Sequence, residues 1–260
     1  MGRERGCPAF IPHVQPRCAF TEQVYLKSTQ VNQEQALYEY MARCISDARL
    51  AKFDENIRLR TRYITVVLED IFQPQNASAV LRSADGFGIQ DIHIIETRNT
   101  YRVNPDVALG ASQWLSLHKY RGHDNNTKTC IAALREQGYR IVATTPHTDD
   151  CYIHELDLTK GKVALLFGTE IDGLSKDAIA EADEFVRIPM SGFTESYNIS
   201  VSAAICMYEL SKRLHASGIS WQLNAEEMLK VRLDWVRSCL QRPDLVEAEF
   251  FRLEEEKKNQ

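Results

Sequence analysis

Little in this sequence announces a specialised class of protein. Its seven cysteines (Cys7, Cys18, Cys44, Cys130, Cys151, Cys206 and Cys239) are scattered, and no two form a C-x-x-C pair. That spacing excludes a disulfide framework and a familiar zinc site, and it leaves free thiols in a reducing cytoplasm as the expectation. No apolar run approaches the ~20 residues of a membrane span. The N-terminus lacks a hydrophobic signal core, and Gly2 is followed at position six by Gly6 rather than Ser or Thr, against myristoylation. Gly86-Phe-Gly88 has no third glycine, and it follows a helical pattern and precedes an apolar strand pattern, the reverse of a pyrophosphate cradle. Gly161-Lys162 has neither the upstream glycine nor the Ser/Thr of a P-loop. His147, Asp149, Asp150, Cys151 and His154 crowd one polar stretch without a recognised ligand spacing, so no metal is expected. Positive charge is also short: 31 Lys and Arg face 36 Asp and Glu, for a net charge of -5. On that average the chain is no obvious nucleic-acid binder.

What is present is an ordinary globular composition, 44% hydrophobic and 26% charged, over 260 residues, enough for a substantial core. Residues 1–30, with Pro8, Pro12 and Pro16, show no sustained period and are expected to form a loosely packed arm. From Asn32 to Leu50 apolar residues recur at helical spacing, and Asn32 with Gln35 resembles a capping box. From Tyr63 short apolar strands alternate with helices. Strands are predicted at Tyr63–Glu69, Ile89–Glu96, Tyr139–Thr144, Val163–Phe167 and Phe185–Ile188. Helices are predicted at Asn76–Gly86, Asn125–Gln137 with Asp124 as cap, Lys176–Ala182 with Ser175 as cap, and Ser200–His215. Continuous apolar strands between helices imply an α/β fold, a parallel sheet covered by helices on both faces. Beyond Gly218 one amphipathic helix fits Ala225–Leu240, followed by a charged tail.

Three segments place small or polar residues at the carboxyl end of a predicted strand, where ligands bind in open α/β sheets. They run from Pro74 to Gly88, from Leu166 to Ser175 and from Ile188 to Ile205. In this order and spacing they resemble the three motifs of the SpoU branch of the SPOUT RNA methyltransferases. The likeness covers approximately Arg58 to Arg213. It is greatest to the tRNA (guanosine-2'-O)-methyltransferase group, on Phe167-Gly-Thr-Glu170, on Ile188-Pro-Met-Ser-Gly192 and on helical extensions at both ends.

The resemblance implies an α/β trefoil knot, a homodimer, S-adenosylmethionine as donor and the ribose 2'-hydroxyl of a tRNA guanosine in the D-loop, position 18, as acceptor. A ribose hydroxyl is a weak nucleophile, so oxygen, methyl carbon and sulfur must be held in line while a proton leaves. Arg82 matches the family's catalytic arginine. A free guanidinium is almost always protonated, so binding of a phosphate and stabilisation of developing alkoxide charge is the physically easier role; proton removal by Arg82 stays open. Asn76, whose bland reading is a helix N-cap, would orient Arg82 and substrate. Glu170 matches the second motif's glutamate and would support the loop near donor and substrate. Ser196 and Asn198 match the family's Ser-Leu-Asn, with Tyr197 in the leucine position. Their loop would present backbone groups to the adenine. Further donor contacts would come from Thr144, Gly168, Ile188 and Met190, with Gly168 and Gly192 permitting close backbone approach or positive φ.

The net charge averages unlike parts. Residues 1–62 carry ten basic against seven acidic side chains, and residues 97–140 seven against three. Arg58, Arg60, Arg62, Lys119 and Arg121 are the candidate phosphate contacts. The expected organisation is an arm and helical extension at 1–62, a catalytic α/β-knot domain at 63–215 and a C-terminal helical extension at 216–260. A ribosomal RNA ribose methyltransferase and a catalytically silent RNA-binding paralogue remain the alternatives. The latter is disfavoured by the presence together of Asn76, Arg82, Glu170, Ser196 and Asn198.

Overall fold

The computed structural model describes residues 19–102, 104–146 and 151–259. Helices α1 (Ala19–Ala42) and α2 (Asp47–Ile57) lead into strand β1 (Ile64–Glu69), helix α3 (Pro74–Gly86) and strand β2 (Asp91–Ile95). The short helix α4 (Pro105–Ala108) precedes β3 (Ser116–Tyr120), α5 (Asn126–Glu136), β4 (Arg140–Thr144) and β5 (Cys151–Tyr152). Then come β6 (Val163–Phe167), α6 (Lys176–Ala180), β7 (Glu184–Arg187), α7 (Ile199–His215), α8 (Ala225–Cys239) and α9 (Pro243–Lys258).

The seven strands form one parallel sheet in the order β3-β2-β1-β6-β4-β7-β5. β1, β2 and β6 are buried along their whole length; β1 and β6 carry runs of Val, Ile and Leu, whereas β2 sets buried Asp91 and His93 beside its isoleucines. One face is covered by α3 and α7, through Val80, Leu81, Ala84, Met207 and Leu210 among others. α5 and α6 cover the other, through Cys130, Ile131, Leu134 and Ala178. A separate apolar cluster joins α1, α2, α8 and α9 around Met41, Phe53, Ile57, Trp235 and Phe250. It meets the sheet where Thr61 bridges both Ile89 and Gln222. Gly88 makes that joint possible: its φ is +74, and a Cβ there would lie 2.2 Å from the Leu59 carbonyl oxygen. The Gly86-Phe-Gly88 pair is thus a structural joint.

Several elements differ from expectation. α1 runs unbroken from Ala19, so Asn32 lies mid-helix rather than at a cap, and Gln35 bonds Glu39 one turn on. The cap of α5 is Asn125, which accepts from the Lys128 amide, and not Asp124. β3 escapes the apolar pattern because it is an edge strand with exposed His118 and Lys119. The charged tail is the helix α9, anchored by Phe250 against Tyr40 at 5.6 Å between ring centroids. No helix among the described residues is long and apolar enough to cross a membrane. Among the described residues Cys44, Cys130, Cys206 and Cys239 are free thiols. Cys7, Cys18, the prolines of the arm, and His147, Asp149 and Asp150 lie outside the described residues.

Candidate active site

β1, β6, β4 and β7 are consecutive in the sheet, so the segments leaving their carboxyl ends lie side by side. The motif segments follow β1, β6 and β7, and Thr144 ends β4. Their polar side chains meet. The Asn76 amide nitrogen donates to Glu170 Oε1 and, at 3.3 Å, to Gln73 Oε1. The Asn198 amide nitrogen donates to Asn76 Oδ1 at 3.1 Å. Asn198 Oδ1 in turn caps α7, accepting from the Ser200 amide at 2.9 Å and its hydroxyl at 2.6 Å. Asn76 is buried on the first turn of α3, but it is not the N-cap; that position is Gln73, with Pro74 opening the helix. Its side chain therefore serves the link between loops.

Arg82 lies further along α3, exposed, with no hydrogen bond or ion pair among the described residues. The geometry leaves its guanidinium available, whereas Asn76, Glu170 and Asn198 are committed to one another.

The loop after β6 is tightly pinned. Thr169 and Gly173 exchange backbone hydrogen bonds of 2.9 and 3.1 Å. A Cβ on Gly168 would fall 2.1 Å from the Gly173 carbonyl oxygen, so only glycine permits the closure. Ser175 donates from its amide and its hydroxyl to the buried carboxylate of Glu69 at 2.8 and 2.7 Å, and Thr127 donates a third bond at 2.6 Å. Asp70, at φ 54, accepts from the amides of Thr97, Arg98 and Asn99. Arg98 then reaches Asp172 at 3.0 Å. Glu69 and Asp70 are absent from the sequence-based site; two adjacent acids closing the otherwise uncharged strand pattern are the signal that could have found them.

The loop after β7 is the opposite. From Pro189 to Tyr197 no hydrogen bond ties it to the described chain. Ser196 and Tyr197 are exposed, and so is Phe193. Gly192 needs neither positive φ nor close approach, since its nearest neighbour is the Thr194 nitrogen at 4.0 Å, which corrects the expectation for it. Ile188 and Met190 are half-buried at the root of this loop. Thr144 spends its hydroxyl on the Leu166 carbonyl at 2.7 Å.

Among the candidate phosphate contacts, Arg60 is corrected. It is 4% exposed, ion-paired with Asp85 and stacked over Trp235 at 5.3 Å, so it cannot lie on an open RNA-facing surface. Arg62 is held by Asp91 at 2.7 Å. Arg58, Lys119 and Arg121 are exposed, Lys119 lying over the Tyr101 ring at 5.4 Å. No group of three or more His, Cys, Asp or Glu that could hold a metal occurs among the described residues.

A parallel sheet with loops at its carboxyl edge knitted by an Asn–Asn–Glu chain, and an exposed arginine two turns on along α3, is a candidate ligand site of an α/β enzyme. The family model of the SpoU rRNA Methylase family matches residues 63–208, and the chain belongs to that family. It is 44% identical over 207 residues to the tRNA (guanosine(18)-2'-O)-methyltransferase of Borreliella burgdorferi, covering 80% of this chain and 93% of that protein. The enzyme of the same name from Thermus thermophilus is 32% identical, over 74% of this chain and 97% of its own length. The solved A. aeolicus TrmH/SpoU tRNA modifying enzyme superposes with a TM-score of 0.67 at 25% identity, over 75% of this chain and 98% of that one.

Proposed function

We propose that this chain transfers a methyl group from S-adenosylmethionine to the ribose 2'-hydroxyl of a tRNA guanosine, position 18 of the D-loop. The observation that carries the reading is the Asn198–Asn76–Glu170 chain of hydrogen bonds, which gathers the three motif segments beside the unpaired Arg82. The printed function of the relatives supplies the acceptor.

The loop between Pro189 and Tyr197 fits the donor, because its backbone groups are unspent and can read an adenine. Thr144, Gly168, Glu170, Ile188, Met190, Ser196 and Tyr197 would hold it at the ends of three neighbouring strands. The donor supplies a methyl group activated by a positively charged sulfur. Arg82 binds a phosphate beside the target ribose and stabilises the negative charge that grows on the 2'-oxygen as its proton leaves. Asn76, Glu170 and Asn198 hold the segments around that point in register, and Ser196 lines the approach. Arg58, Lys119 and Arg121 are the open cations for the RNA backbone.

The proposed organisation is an N-terminal arm and helical RNA-contacting extension at 1–62, the catalytic α/β-knot domain at 63–215 and a second helical extension at 216–260. The two apolar clusters on the faces of the sheet are separate from the one that α1, α2, α8 and α9 share, which supports setting the helical extensions apart from the sheet domain. β6 inserted between β1 and β4 is consistent with a threaded, knotted chain. A homodimer is supported by the exposed Val201 and Tyr208, seven residues apart on one face of α7. Free thiols favour a cytoplasmic location.

The test incubates purified protein with labelled donor and, in parallel, an unmodified tRNA transcript or an unmodified ribosomal RNA transcript, and maps the modified nucleotide. Label on the position-18 ribose is expected. Label confined to ribosomal RNA would favour the alternative suggested by the family's own description; no label on either would indicate a silent paralogue.

A further inference from the structure

Gln73 occupies the N-cap position of α3 without its side chain capping the helix. Its carbonyl accepts from the Asn76 and Ala77 amides at 3.1 and 3.3 Å, so the backbone alone starts the helix. Residues favoured at that position spend a short side-chain oxygen on the helix amides. The longer Gln73 side chain instead presents Oε1 to the Asn76 side-chain nitrogen at 3.3 Å. That nitrogen also donates to Glu170, so the segments after β1 and β6 meet at one atom. Gln73 Nε2, with two hydrogens to give, has no partner among the described residues.

A large apolar side chain stands in water on each arm of this junction. Phe72, the residue before Gln73, is 72% exposed, and Ile171, the residue after Glu170, is 95% exposed. Single exposed apolar residues are ordinary. Two that flank a polar junction, next to an unspent amide, have the make-up of a ligand site, with apolar walls and a few polar groups. A base in an RNA loop is recognised by an aromatic face and by hydrogen bonds to its edge. Guanine carries two acceptors, N7 and O6, along one edge, whereas adenine sets an amino donor beside its N7 acceptor. A glutamine with both amide atoms free suits adenine, since it donates and accepts at once. Gln73 has engaged its oxygen on Asn76, and the donors it has left fit an edge made of acceptors.

We propose that Phe72 and Gln73 select the target nucleobase: the Phe72 ring stacks on the guanine, and Gln73 Nε2 donates to its N7 and O6. The inference rests on the RNA methyltransferase reading above and adds the side chains that make guanosine the preferred acceptor.

The test uses tRNA transcripts carrying guanosine, inosine or adenosine at position 18, with single-turnover methylation and equilibrium binding measured on each. The parent should treat inosine like guanosine, since both present N7 and O6, and should prefer them to adenosine by about 10–100-fold. Gln73→Ala should cut that preference to about threefold or less by slowing guanosine and inosine alone. Phe72→Ala should weaken binding of all three transcripts by about tenfold and keep the preference. Affinity for S-adenosylmethionine by calorimetry and the melting temperature should match the parent's in both variants. Equal loss on guanosine and adenosine in Gln73→Ala would overturn the proposal, because Gln73 would then only brace Asn76. A parent that rejects inosine would overturn it too, since the 2-amino group would be what is read. So would dissociation of a dimer in Phe72→Ala, which would assign the exposed ring to a second copy of the chain. If the parent methylates no transcript yet binds guanosine over adenosine through Gln73, the functional reading fails while the base selection stands.

Discussion

Two loops leave the same edge of the sheet and are built on opposite principles. The loop after β6 closes on itself through Thr169 and Gly173, is held by Glu69 through Ser175, and is tied by Arg98 at Asp172. The loop after β7 makes no hydrogen bond to the described chain from Pro189 to Tyr197 and exposes Phe193 and Tyr197. The first spends its polar groups inward and fixes the position of Glu170. The second keeps its polar groups unspent, which suits a segment that must receive a ligand. Rigidity at one wall and open valence at the other give a site both alignment and binding capacity.

If that contrast holds, damage should sort by location. Arg82→Ala, on the open side, should lower kcat by about 10²–10³-fold, since it removes one stabiliser of developing charge. Its melting temperature and its donor affinity by calorimetry should stay near the parent's, and a matching loss of donor affinity would assign it to donor binding instead. Gly168→Ala should come next. A Cβ 2.1 Å from backbone must displace the pinned loop, and single-turnover rates should fall roughly 10²-fold through lost alignment, together with a lower melting temperature. Glu69→Gln keeps the shape but replaces one acceptor oxygen with a donor facing Ser175 or Thr127. Urea unfolding should show a loss of about 1–3 kcal/mol.

A buried group remote from both loops separates acid sensitivity from the site. Burial holds His93 down to about 4, helped by the neighbouring His118, with which it stacks at 4.6 Å. Asp91 is held below the usual carboxylate range: burial acts to raise it, but the His118 hydrogen bond and the Arg62 charge outweigh that. Because the folded-state value of His93 is depressed, the unfolded chain binds the extra proton first as pH falls below about 6.5. Stability should drop by about 2 kcal/mol between pH 7 and pH 5, and His93→Gln should flatten that slope in denaturation series. Gly192→Ala should have the smallest effect. With open space around it, its activity should stay within about twofold of the parent. A large loss there would show that the loop after β7 is as tightly specified as its neighbour.

Much of the fold was legible because buried parallel strands write themselves as apolar runs. Val163–Phe167 has the predicted bounds, and β1 begins one residue late. β3 was invisible, because at the edge of the sheet Ser116, His118 and Lys119 need not be apolar. α9 was hidden for a related reason: its buried contact is largely Phe250, set among charges. The motif residues Asn76, Glu170 and Asn198 could be picked out by their segments, but that they bond to one another could not, because loops distant in sequence meet only through strand order. Arg60 shows the converse. A basic cluster in sequence was read as surface, and tertiary packing buried one member against Trp235.

The amino-acid sequence by itself determined the local terms: which stretches are apolar enough to be strands, where polar segments follow them, and the family to which those segments belong. The tertiary structure decided what those segments do together, because hydrogen bonding, burial and charge pairing depend on distance in space. Only the order β1-β6-β4-β7 brings the motif loops to one edge. Only the packing of α2 on α8, and of the Ala111–Trp114 turn on both α3 and α8, turns Arg60 from a surface charge into a buried one beside a cavity. The net charge of -5 said nothing of either, since an average carries no positions.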